Sequence, residues 1–357
     1  MAPQNIFENE SFNSTQNLTS LWAFSEGFLG GILSAIKIPF KGLLLGNISV
    51  SIIILIANFN KKRGSILKAG TITTSIKAII SPYSTLPAYF AVFTQTLLGE
   101  FLFFNRRHML LSSMTLGILT SVLSSVQRII VLTILFGSTF WESIDSLAVY
   151  IYTEFSGSKS VPSGFKFSEW LIGTYILIHA LTGFAVGYYV SKFADKIKQN
   201  ENIQLEFFEN FKLDEAMLKE ESSIKEKDRK NNHFKFSKTV LFILLASSLV
   251  LSYCLYDDQG NSYFDSKSIW IMIFRSLTIM VLWVKVIGPF LNSKLKLKLL
   301  KSRNKYSEEI HNTLILLPSI KQLFIYTWKC SDGNGFKKIT NFISLFIPAI
   351  LILNTKE

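Results

Sequence analysis

ILKAGTITTSIKAIISPYSTLPAYFAVFTQTLLGEFLFF, residues 66–104, holds two apolar runs joined by a short Ser/Pro-rich turn. Lys61-Lys62-Arg63 precedes it and Asn105-Arg106-Arg107-His108 closes it. Apolar runs of this length with basic residues at both outer ends predict a helical hairpin that enters a bilayer and returns to the same side. The composition agrees. Over 357 residues the hydrophobic content is 49% and the mean hydropathy +0.33, too apolar for an ordinary soluble chain of this length. The formal charge of +12 sits between the apolar runs, where cytoplasmic loops concentrate Lys and Arg, so it reads as topology and not as a nucleic-acid footprint.

Working outward, a first run spans about Leu21 to Ile36 and a second Gly42 to Phe59. A fifth runs from Met109 to about Gly137. As one helix it would extend roughly 43 Å, beyond the ~30 Å hydrocarbon core, so it must tilt, break or protrude. A loop with Trp141, Glu142, Asp145, Pro162 and Gly164 leads to a sixth run, Glu169 to Val190. Further runs cover Val240 to Tyr256, Ser268 to Leu291 and, shorter, Ile339 to Leu353. The chain thus divides into a polar flexible tail (1–20), a six-helix membrane domain (21–191), a charged cytoplasmic linker (192–238) and a C-terminal membrane region (239–357). Within the last, 294–338 is basic and partly amphipathic, the pattern of helices along a membrane surface. With the N-terminus inside, the cytoplasmic loops collect twenty-seven Lys/Arg and the outer loops five. The fold class expected is all-α and multi-pass, in the cell membrane.

The first run carries Ala23, Gly27, Gly31 and Ala35 at a four-residue interval. Small residues so spaced line one helix face and let another backbone approach closely in lipid, making them candidates for partner docking.

Polar side chains inside a span are expensive and usually face protein or a water-filled cavity. Lys77, Tyr89, Gln95, Gln127, Arg128, Tyr175 and His179 all fall in the outward half of four consecutive predicted helices, where they can line one substrate pocket. Two cations and a histidine favour a ligand bearing carboxylate or phosphate. Plainer readings exist: Lys77 and Arg128 can snorkel to the interface, His179 can hydrogen-bond a neighbouring backbone, and the tyrosines fit an aromatic belt. Glu100 reads as structural.

The six helices with both ends inside, the ladder of helix one, Lys68-Ala69-Gly70 opening the third run, and Gln95 with Gly99-Glu100 late in the fourth resemble the substrate-binding S components of energy-coupling factor (ECF) transporters over about residues 21–191. The resemblance implies docking of the ladder on a T-type membrane subunit, a vitamin-like micronutrient bound near the outer face, and import driven by separate ATP-binding subunits. Consistently, the chain has no Walker A sequence of its own. The basic segment 294–338 faintly resembles the coupling helices of T subunits, with Arg303 as the docking arginine.

No cofactor is expected. The two cysteines and four dispersed histidines offer no metal-ligand spacing, and His179 lacks the serine context of a membrane protease, so no enzyme is expected. The alternative to a transport subunit is a membrane assembly protein that holds partners together without transporting.

Overall fold

The computed structural model describes residues 4–35, 41–81, 84, 86–156, 166–199 and 305–352, with isolated positions between 247 and 290. Among them the chain is α-helical without strands: α1 (Gln4–Phe24), a π turn (Ser25–Leu29), α2 (Gly30–Ala35), α3 (Lys41–Phe59), α4 (Ser65–Ile80), α5 (Leu86–Leu102), α6 (Met109–Phe136), α7 (Thr139–Ser156), α8 (Phe167–Gln199), α9 (Lys305–Cys330) and α10 (Phe336–Ile352). Three of these, α3, α6 and α8, are long and apolar enough to cross a membrane. With 16 and 17 residues, α4 and α5 reach only about 24–26 Å.

The hairpin forms where the sequence puts it. Its open end is tied by Glu100 of α5, whose carboxylate accepts the Gly64 N–H at 2.6 Å and the Leu67 N–H at 3.1 Å. A carboxylate over a helix N-terminus meets both the orphan donors and the positive end of the dipole. Gly64, at φ 78°, supplies the left-handed residue that turns the chain into α4. Midway, a Cβ at Gly70 would collide with the Thr96 side chain, so the missing side chain sets the α4–α5 approach.

Four expectations change. The polar tail predicted for 1–20 is helical from Gln4, and Asn17, Leu18, Thr19 and Ser20 are buried. Its polar groups find partners: Asn17 Nδ2 donates to the Ile350 carbonyl at 3.0 Å, and Asn60 Nδ2 donates to Thr15 Oγ1 at 2.8 Å. The loop after α6 contains an amphipathic helix, α7, whose Asp145 caps α8 by accepting the Ser168 N–H at 2.6 Å and its hydroxyl at 2.8 Å. The linker predicted from 192 begins as the last turns of α8, where Ala194 and Ile197 enter the core. Within the basic segment 294–338, α9 packs on α1 and α4 with Ile320 and Leu323 fully buried, so part of its apolar surface is covered by this chain, while Ile315 and Ile325 stay exposed. The predicted runs 240–256 and 268–291, most of the linker and Arg303 lie outside the described residues.

One core joins these parts. Leu18 and Trp22 of α1, Ile52–Ile56 of α3, Ile66 and Ala69 of α4, Ile320 and Leu323 of α9, and Phe346 and Ile350 of α10 form a single buried cluster. Joined to it through Leu116, Ala194 and Ile197 is an antiparallel pair, α6 with α8, packed backbone to backbone. A Cβ at Gly117 would strike the Gly183 backbone, and one at Gly187 the Ser113 backbone. The seam follows a four-residue interval on both helices, Ser113, Gly117, Ser121 and Ser125 facing His179, Gly183, Gly187 and Ser191, all buried.

Candidate functional site

Two polar features lie side by side around α4. The first is a closed network. Ser25 donates its hydroxyl to the Trp22 carbonyl at 2.9 Å, and the Gly30 N–H reaches the Ser25 carbonyl five residues back. This widened turn is a π bulge, a device common at functional positions. It carries Glu26, which is 4% exposed. Lys77 Nζ of α4 donates to Glu26 Oε2 at 2.6 Å, the Ser49 hydroxyl of α3 donates to Oε1 at 2.7 Å, and Trp22 Nε1–H donates to Ser49 Oγ at 3.0 Å. Lys77 also reaches the Ala88 carbonyl at 3.3 Å and lies 5.8 Å from the Tyr89 ring centre. Burying two charges costs several kcal/mol each, and this pair is retained because both carboxylate oxygens and the ammonium have partners.

The second feature is a cavity of about 640 Å³ between α4, α5 and α6, lined by Thr74, Tyr89, Gln95, Thr120, Ser124 and Gln127 among apolar side chains. Gly46 of α3 backs it: a Cβ there would sit 3.4 Å from Gln95 Nε2. Gln95 is 5% exposed, and its Oε1 has no hydrogen-bond partner. Phe90, Phe93, Leu123 and Ile130 are exposed where the cavity opens between α5 and α6.

The seven residues singled out from the sequence divide between these places and a third. Tyr89, Gln95 and Gln127 line the cavity. Lys77 lies behind it, its charge already matched by Glu26. Arg128 is exposed and outside the lining. His179 is buried in the α6–α8 seam, its Nδ1 2.9 Å from the Tyr175 carbonyl and its ring 4.2 Å from the Tyr175 ring. The seven therefore do not line one pocket.

The ladder of the first run also divides. Ala23 is fully buried in the chain and Gly27 rests against Ile80, leaving no room for a partner there, whereas Gly31 has open space around it. The side chain of Ala35 is outside the described positions. Glu26 and Ser49 are residues the sequence reading missed. A lone carboxylate inside an apolar run was the available signal, since such a group demands a partner.

No protein-family model, curated protein or solved structure matches this chain.

Proposed function

We propose that this chain is the small-molecule-capturing membrane subunit of an ECF-type importer, lying in the cell membrane with its N-terminus in the cytoplasm. The observation that carries the reading is the cavity between α4, α5 and α6, which gathers Tyr89, Gln95 and Gln127 beside a buried ion pair. A concave site with an apolar wall and a few placed polar groups is the usual form of a small-molecule site. Helices long and apolar enough to cross a membrane support a site at membrane depth, and the excess of basic residues on the loops assigned to the cytoplasm supports the orientation. Transport then draws on a T-type membrane subunit and separate ATP-binding subunits. A partner approaching the first helix would meet Gly31, because Ala23 and Gly27 are occupied within the chain.

Affinity capture of the full-length chain from its native membrane tests this reading. An ATP-binding subunit recovered together with one small molecule per chain is the expected result. Membrane partners recovered without any small molecule, and unaffected by the cavity-filling substitution Ala91→Trp, would replace transport with the assembly reading.

A further inference from the structure

An amphipathic helix in a water-soluble fold turns its apolar face to the protein. In α7 that face is left uncovered. The helix joins α6 to α8 and is fixed to both. Phe140 stacks on Phe136 of α6 at 5.5 Å, and Trp141 Nε1–H donates to Thr133 Oγ1 of α6 at 3.0 Å. Asp145, from the polar face, accepts the Ser168 N–H and hydroxyl at the start of α8. That polar face also carries Glu142, Ser146 and Thr153, with Val149 among them.

Helical spacing lines Phe140, Ile144, Leu147, Ile151 and Phe155 along the other face. No residue of α7 is buried, and the far half of the stripe is the barest part: Leu147 is 58% exposed and Phe155 89%. Tyr150 and Tyr152, both exposed, flank Ile151 on either side.

What covers the stripe follows from where the two attachments hold it. α6 and α8 are long and apolar enough to cross a membrane, whereas α7 is not among such helices. It is therefore held at the boundary of whatever bilayer the pair crosses. The surface around its attachments is itself apolar and exposed, with Ile134 near the end of α6 and Phe167, Trp170 and Leu171 at the start of α8. Tyrosine and tryptophan are the side chains that favour the headgroup level. Residues 139–156 hold Glu142, Asp145 and Glu154 and neither Lys nor Arg. Attraction to anionic headgroups is thus not what holds the helix, and the anchoring falls to apolar burial.

We propose that α7 is an interfacial helix, lying in the boundary of the bilayer that α6 and α8 cross. Leu147, Ile151 and Phe155 are immersed in the acyl region of uncharged lipid, and Glu142, Ser146 and Thr153 face water. Through Asp145 the helix then holds the first turn of α8 at a fixed depth. This placement rests on the membrane location proposed above and not on capture of a small molecule.

Single spin labels on the full-length chain in phosphatidylcholine nanodiscs test it. With Cys254 and Cys330 changed to serine, cysteine replaces Leu147, Ile151 or Phe155 on the stripe, Ser146 or Thr153 on the polar face, and Leu181, exposed midway along α8, as a reference. Each variant is checked by its melting temperature; the three stripe positions report independently, so one that misfolds leaves two to decide. Collisions with oxygen, which enters lipid, and with a nickel chelate, which stays in water, give the depth of each label. Labels at 147, 151 and 155 are expected about 5–10 Å into the headgroup–acyl boundary, and those at 146 and 153 at or above it. Water-exposed labels at all five α7 positions, with 181 in lipid, would overturn the placement and leave the membrane location standing. Stripe labels shielded from both reagents would overturn it in favour of a protein partner or a second copy on that face. A label at 181 that reads water would overturn the membrane location as well.

Discussion

The α6–α8 pair and the α1–α3–α4 cluster solve the same problem, holding apolar helices in fixed register, with opposite means. The first uses absence: Gly117, Gly183 and Gly187 carry no side chain, and the backbones meet. The second uses charge: Glu26, Lys77, Ser49 and Trp22 form a buried network that fits one arrangement only. Half of the apolar window of α3 is buried, against 17% in α6 and α8, so the charged lock sits in the interior while the glycine seam holds together a pair that otherwise faces outward. Close packing of small residues tolerates an apolar surround, since the polar groups in it are satisfied within their own helices: Ser113 donates to the Met109 carbonyl, Ser125 to the Val122 carbonyl, and His179 Nδ1 lies beside the Tyr175 carbonyl. A buried ion pair needs neighbours on every side.

Breaking the lock should have the largest effect. Lys77→Ala leaves the Glu26 carboxylate buried without its cation, and a loss of about 3–5 kcal/mol is expected for removing one partner of a buried pair. The double change Glu26→Met, Lys77→Met should recover most of that loss in the same thermal unfolding assay. If the double variant is as unstable as the single one, the charge account is wrong. On the other side of the comparison, Gly183→Leu drives a branched side chain into the Gly117 backbone, for which about 1–3 kcal/mol or more is expected, read as a lower melting temperature with an unchanged Glu26–Lys77 pair.

Smaller effects sharpen the contrast. Glu100→Gln should cost about 1 kcal/mol by weakening the cap on α4, with faster amide exchange at Gly64 and Leu67 as its local signature. Gly31→Ala should move stability upward, by about 0.5–1 kcal/mol, because the site is helical and open. A fall there would mean that Gly31 makes a close helix contact in the assembled state.

The two regions were unequally legible in the sequence. The hairpin of α4 and α5 could be read from two apolar runs and a Ser/Pro turn, because local pattern and local structure agree. The α6–α8 seam was legible in principle: Ser113, Gly117, Ser121 and Ser125 repeat at the interval that drew attention to Ala23, Gly27 and Gly31. The rule selected the more conspicuous glycines, half of which pack inside the chain. The lock was harder, because Glu26 and Lys77 stand 51 positions apart and nothing periodic links them. Equal depth in the membrane placed Lys77, Arg128 and His179 together, but depth leaves helix rotation free. Rotation is what separates His179 in the seam from Gln127 at the cavity.

The bonds from Asn17 to Ile350 and from Ser14 to Leu351 join residues more than 330 positions apart. They set an order of events in synthesis. α1 is made before α9 and α10 and lacks these partners until they have followed, so Leu18 and Trp22 must be shielded in the interval by lipid or chaperone. A stop codon shortly before α10 would be felt first at the opposite end of the chain, as protease sensitivity around Asn17.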